Sequence, residues 1–125
     1  MKDSDKPEKE KREKKMPEKD KVSFKEFQKL DLRIGTIKSA EPVKGSKKLV
    51  KLVVDIGEER TVVAGIVGHY ETEALKGKQV VLVTNLEPVT LMGVESNGMV
   101  LAAEDQSGVH LLMPDAQTTP GSQVR

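Results

Sequence analysis

The chain has 125 residues, enough for one domain, with 21 Lys and Arg, 20 Asp and Glu, and no cysteine. That excludes a disulfide framework and a thiolate zinc site, and the two histidines, His69 and His110, stand far apart with no ligand pattern around them. No apolar stretch follows Met1 and no run approaches the ~20 apolar residues that span a bilayer, so the expectation is a soluble cytoplasmic protein without membrane contact.

Charge divides the chain. Residues 1–21 hold nine basic and seven acidic side chains, with Met1 and Met16 as the only large apolar ones before Val22. Such a segment cannot bury enough surface to offset its ordering entropy, so residues 1–21 are expected to form a charged flexible tail or linker. Pairs Glu8–Arg12 and Glu10–Lys14 at i,i+4 give it transient helix at most. The remaining 12 basic and 13 acidic groups leave the body, residues 22–125, at −1, so net charge alone points to no polyanionic partner.

The folded body opens with Ser23-Phe24-Lys25-Glu26, a capping-box pattern that predicts a short helix over about 24–30. From Asp31 the period changes to two: Leu32 and Ile34 alternate with Asp31, Arg33 and Gly35, a strand with a bulge or bend at the glycine. Residues 41–48 read as a loop. Val50, Leu52, Val54 and Ile56 then share one face of a second strand, and Arg60 to Ile66 is a third. Glu71 to Leu75 predicts one or two helical turns capped at Gly77, and Val80 to Val83 a fourth strand. Residues 85–98 read as a long loop. A fifth strand follows over Met99 to Ala103, a turn over 105–108, a further short strand at Val109–Met113, and an extended tail with a turn at Pro120-Gly121.

Five main strands with a short connector between the third and fourth predict an all-β, five-stranded Greek-key barrel of the OB type, with a short N-terminal helix and extra C-terminal strands. A β-sandwich would normally need about seven evenly spaced strands. OB barrels bind ligands across strands 2 and 3, framed by the loops joining strands 1–2 and 4–5. Here the first of these loops and its flanks carry Lys38, Lys44, Lys47, Lys48 and Lys51, with Glu41 the one acid among them. Such a patch attracts phosphate irrespective of sequence; it is equally what a solvated loop looks like. The second loop combines Asn85, Ser96 and Asn97 with Leu91, Met92 and Met99, and admits either ligand contacts or plugs for the barrel mouth. With three aromatics in all, Phe24, Phe27 and Tyr70, base stacking has few platforms, and backbone recognition is expected instead. No nucleophile elbow or phosphate-cradling loop is present, and Gly65-Ile66-Val67-Gly68 lacks the lysine of one. The pairs Glu58-Glu59 and Glu104-Asp105 read as solvated turn residues. Neither catalysis nor a cofactor or metal is expected.

Four motifs in register sharpen this reading: Leu30-Asp31-Leu32-Arg33-Ile34-Gly35, Thr61-Val62-Val63-Ala64-Gly65, Asn85-Leu86-x-Pro88, and Met92-Gly93-Val94-x-Ser96-x-Gly98-Met99. Over about residues 23–125 they resemble the tRNA-binding domain appended to methionyl-tRNA synthetases, a family that includes free-standing tRNA-binding proteins, the endothelial monocyte-activating polypeptide and the CsaA-like chaperones. The resemblance implies a homodimeric OB barrel that binds the outer corner of tRNA, independent of the anticodon and without catalysis, as an appendage, subunit or partner of a synthetase, most closely the methionyl one. It places RNA contacts at Arg33, the first-loop lysines, Asn85, Ser96 and Met99; Asn97 belongs to the same motif. The chain departs from the family pattern at Val43-Lys44-Gly45-Ser46-Lys47-Lys48, where many members have a His-Pro-Asp-Ala-Asp-like segment. It departs again at Val89, Thr90 and Met92, where many carry basic residues. The rival within the resemblance is a peptide-binding chaperone of the CsaA type, which needs an exposed apolar groove.

Overall fold

A computed structural model describes residues 17–66 and 70–125. The expectation of a flexible tail over 1–21 therefore falls mostly outside the described residues, as does His69; residues 17–21 are exposed and without regular structure.

Helix α1 spans Phe24–Phe27. Its capping box forms as the sequence predicts, Glu26 N donating to Ser23 Oγ at 3.0 Å and Ser23 N to Glu26 Oε1 at 3.2 Å. It stops short of residue 30 because Lys29 N and Leu30 N donate three residues back, to Glu26 O and Phe27 O, tightening the chain into turns.

The barrel strands are β1 (Leu32–Pro42), β2 (Val50–Asp55), β3 (Glu59–Ala64), β4 (Gln79–Val83) and β7 (Met99–Val100). They run antiparallel in the order β3-β2-β1-β4-β7, which is the order of an OB barrel. The long first strand serves two partners: residues 32–36 pair with β4, and 36–42 with β2, with a register shift between Ile37 and Ser39. Gly35 permits this coiling, since a Cβ there would collide with Val54 Cγ1. The expected bend is thus found at the glycine, and the bulge itself falls at Lys38.

The core is built from the period-two faces. Val50, Leu52 and Val54 are wholly buried and Ile56 nearly so, joined by Ile37, Val62, Val80 and Leu82. Each such side chain stabilises the fold by about 1.5–3 kcal/mol relative to exposure. Helix α2 (Thr72–Leu75) plugs one end with Leu75, and Gly77, at φ 90°, turns the chain out of it.

Three segments differ from expectation. Residues 85–98 are not an open loop: β5 (Val89–Leu91) and β6 (Val94–Ser96) form a hairpin. Met92 and Gly93 both have positive φ, so the turn is of the I′ type without the usual Asn-Gly. The expected strand 99–103 is broken at Leu101, whose N–H still bonds Val81 O; beyond it β8 (Ala102–Asp105) leaves the barrel to pair with β9 (Gly108–Leu111). The C-terminal tail carries β10 (Gln123–Val124), which pairs with β1 at Arg33 and Leu32. Gln79 tethers this strap, its side chain bonding both Thr118 N and Thr118 O. Gly121 N donates to Ile34 O at 2.7 Å.

Candidate nucleic-acid interface

The loop of residues 43–49 between β1 and β2 is anchored from within. Val43 is buried, Val43 N donates to Leu49 O, and Ser46 Oγ accepts from Lys48 N and Leu49 N. Its lysines face outward: Lys44, Lys47 and Lys48 are exposed, and so is Lys38 at the bulge. Among the described residues none of these four has an ion-pair partner. Lys51 differs, being half-buried on β2 with Nζ 3.7 Å from Glu41 Oε2.

The hairpin β5–β6 reaches this loop. A Cβ on Gly45 would lie 3.2 Å from Met92 Cε, so the Met92 tip rests on the lysine loop. Met92 is 56% exposed and Val89 51%, which settles the sequence alternatives for Met92: it is a surface residue, not a buried plug.

Below the tip, the hairpin's root closes the barrel against β3. Ser96 is buried; its hydroxyl accepts Val63 N–H at 2.9 Å and bonds Gly98 O at 3.1 Å. Asn97 N donates to Thr61 O at 2.8 Å. Ser96 therefore holds the hairpin in place and does not itself face solvent. Met99 does, at 46% exposure, on the rim of a groove of about 290 Å³ with Val63, Ile66 and Val109.

Arg33 and Asn85 lie at the opposite end of the barrel from the lysine loop. Arg33 Nε donates to both Asp31 oxygens, at 3.0 and 3.1 Å, and its Nη1 to Gly121 O. Thr84 Oγ1 donates to Asp31 Oδ2 at 2.7 Å. That hydroxyl first, and Arg33 after it, hold the Asp31 carboxyl below the usual carboxylate range. Asn85 is engaged at both ends of its amide, accepting from Asp31 N and donating to Lys29 O, so it ties the turn that follows α1 to the root of the 85–98 segment.

Arg60 was not singled out from sequence. Its Nε bonds Glu58 Oε2 at 3.0 Å, and its Nη1 donates to Thr84 O at 2.9 Å and Asn97 O at 3.3 Å, so one guanidinium clamps both roots of the hairpin segment. The sequence carries the signal: Asp31-x-Arg33 and Glu58-x-Arg60 both place an acid just before a strand, two residues ahead of an arginine on it. The candidate residues thus form a line along β3 rather than one cluster. The lysine loop and Met92 stand at one end, Ser96 and Asn97 at the seam, and Arg60, Arg33 and Asn85 at the other.

No group of three or more His, Asp or Glu side chains able to hold a metal occurs among the described residues. Nor is any helix among them long and apolar enough to cross a membrane.

The family model described as "Putative tRNA binding domain" matches residues 32–123. A methionine–tRNA ligase of Archaeoglobus fulgidus is 51% identical over 111 residues, which is 88% of this chain and 17% of that protein. The chain thus spans a small part of the relatives it matches. Among solved structures, the MetRS-related protein of Pyrococcus horikoshii superposes with a TM-score of 0.80 at 40% identity, covering 86% of this chain and all of that one. The chaperone CsaA of Bacillus anthracis superposes with a TM-score of 0.77 at 31% identity, covering 85% and 100%. The family is defined by binding rather than by a reaction, in keeping with the expected non-catalytic module: the chain belongs to the tRNA-binding domain family, in the branch that resembles the appendage of methionyl-tRNA synthetases.

Proposed function

We propose that this domain binds the outer corner of folded tRNA through its phosphate backbone, without reading base sequence, in the cytoplasm and in the service of a methionyl-tRNA synthetase. The observation that carries this reading is the set of exposed lysines Lys38, Lys44, Lys47 and Lys48, none with an ion-pair partner among the described residues, three of them in the loop on which the Met92 tip rests. Unpaired, exposed ammonium groups release counterions from phosphate, and that supplies affinity irrespective of sequence. A tRNA titration at two salt concentrations tests it. Micromolar binding at low salt is expected, with log K falling by about 2 to 3 per unit of log salt if roughly three phosphates are neutralised. Binding indifferent to salt, or none at low salt, removes the reading.

The working unit in this proposal is a homodimer. Phe24 is 72% exposed, and Phe27, Leu30 and Leu86 are exposed too; Leu86 follows the Asn85 that ties the helix down. Apolar surface of this kind is covered in stable assemblies. A monomer by light scattering at high micromolar concentration would count against it. Residues 1–21 act in it as a charged linker, and their removal is expected to leave the melting temperature unchanged; a drop of several degrees would count against that role.

A second reading, peptide binding of the CsaA kind, is favoured by one observation: the groove beside Met99 is lined mainly by apolar side chains. An unstructured peptide titrated in parallel separates the two. Peptide binding that persists at high salt, with no tRNA binding, selects it.

A further inference from the structure

Between the turn from α2 into β4 and the C-terminal strap runs an open cleft of about 550 Å³, within the roughly 300–1,000 Å³ of clefts that hold ligands. Both walls are pinned. On one side Gly77 N donates to Ile37 O at 2.8 Å and Lys78 N to Leu75 O at 3.1 Å. On the other, Leu112 N donates to Leu101 O, and the buried Gln79 holds Thr118 with both ends of its amide. Residues 113–117 therefore line the cleft as a segment fixed at each end. Walls already in place lose little freedom when a ligand enters.

The two walls differ in chemistry. Lys76 and Lys78 line the first; Glu73 precedes them on α2, but among the described residues neither lysine makes an ion pair. The second presents Met113, 46% exposed, with Pro114 and the exposed Asp115. Its backbone is open as well: the N–H groups of Met113, Asp115, Ala116 and Gln117 find no hydrogen-bond partner among the described residues. An extended polypeptide answers all three features. Its carboxylates meet the ammonium groups, an apolar side chain covers Met113, and its carbonyls accept from the open N–H groups, as in strand addition. RNA answers only the first, and its phosphates, one for every nucleotide, would stand against Asp115 and Met113.

We propose that this cleft docks an extended acidic segment of a partner polypeptide, with its Asp or Glu side chains on Lys76 and Lys78 and an apolar residue against Met113. The site does not rest on the RNA reading. Lys38 brings the two surfaces close, because Ile37 N bonds Lys78 O, so RNA is the occupant that the test has to separate.

The test titrates the full, isotope-labelled chain with two synthetic peptides, one of Asp and Glu around a central Leu and one with Lys in place of the acids, and separately with tRNA. The variants are Lys76→Ala with Lys78→Ala, Met113→Ser and, for reference, Lys47→Ala with Lys48→Ala; melts establish that each is folded. The acidic peptide is expected to move the NMR amide signals of residues 76–79 and 113–117, and the lysine peptide none of them. Lys76→Ala with Lys78→Ala should weaken the acidic peptide several-fold and reduce its sensitivity to salt. Met113→Ser should weaken it with that sensitivity retained, and the Lys47 and Lys48 pair should leave it unchanged. Signals that move equally with both peptides, only at residues 43–49, or with neither peptide would overturn the proposal. If tRNA moves the cleft signals and loses affinity in the Lys76 and Lys78 variant while the acidic peptide does not bind, the cleft belongs to the RNA footprint and the polypeptide assignment is wrong. Acidic peptide bound as expected, with no tRNA binding at all, removes the RNA reading and leaves this one standing.

Discussion

The two segments that frame the proposed binding face solve different problems. Loop 43–49 is held by backbone bonds and one serine, and leaves its lysines without ion-pair partners among the described residues. Segment 85–98 does the reverse: Asn85, Ser96 and Asn97 are bonded back into the barrel, and Arg60 grips its two roots. The first supplies charge at almost no structural cost. The second supplies shape, and its polar side chains are committed to keeping that shape. It follows that changes in the loop should alter binding without altering stability, while changes at the hairpin root should alter stability first.

The largest effect expected from breaking this contrast is at Ser96. Ser96→Ala strands the Val63 N–H at the seam, and a buried donor without a partner costs about 1–3 kcal/mol. For a domain of this size that is several degrees in melting temperature, since about 1 kcal/mol corresponds to roughly 4–8 °C. Lys47→Ala with Lys48→Ala should leave chemical denaturation within about 0.5 kcal/mol of the parent. It should flatten the salt slope of tRNA binding by up to about 1.8. Equal destabilisation by the two changes would erase the distinction.

Next is the attempt to make the hairpin carry charge. Val89→Lys with Met92→Arg replaces two exposed side chains, so no charge is buried. Roughly tenfold tighter tRNA binding is expected, about 1.4 kcal/mol, with a steeper salt slope and an unchanged melt. Unchanged affinity would place the RNA on the loop side only.

Smaller again is the turn itself. Met92 sits at φ 50°, a conformation that Asn tolerates better. Met92→Asn should stabilise the fold by about 0.5–1 kcal/mol, less whatever is lost where Met92 rests on Gly45. Destabilisation would show that the contact outweighs the strain.

The smallest effect is read by pH. Asp31 has its carboxyl pKa lowered in the fold, chiefly by Thr84 Oγ1 and then by Arg33. Its contribution to stability is therefore present above the unfolded value of about 3.9 and is lost as pH falls through the folded value. Thr84→Val should move the Asp31 midpoint upward in a carbon-detected NMR titration. An unmoved midpoint would assign the effect to Arg33 alone.

What could be read from residues alone divides along the same line. The capping box at Ser23, the buried face of Val50, Leu52, Val54 and Ile56, and the outward lysines of 43–49 follow from local period and chemistry. The hairpin was missed because its turn is Met92-Gly93: the alternation Val89, Leu91, Val94, Ser96 is present, but the turn signal that marks a hairpin is not. Arg60 was missed because its partners, Thr84 and Asn97, come from distant sequence. β10 is two residues long, and nothing local distinguishes it from coil; its pairing is decided by β1, ninety residues earlier in the chain.

That last pairing has a mechanical consequence. Leu32 lies opposite Val124, so the chain enters and leaves the barrel at one point. Tension applied through the two ends meets antiparallel strands at their shared terminus and breaks their bonds one after another, as a zipper opens. The strap should therefore peel away at low force, taking Gly121 and the Thr118 tether with it, while the strands from β2 to β4 remain unloaded until it has gone.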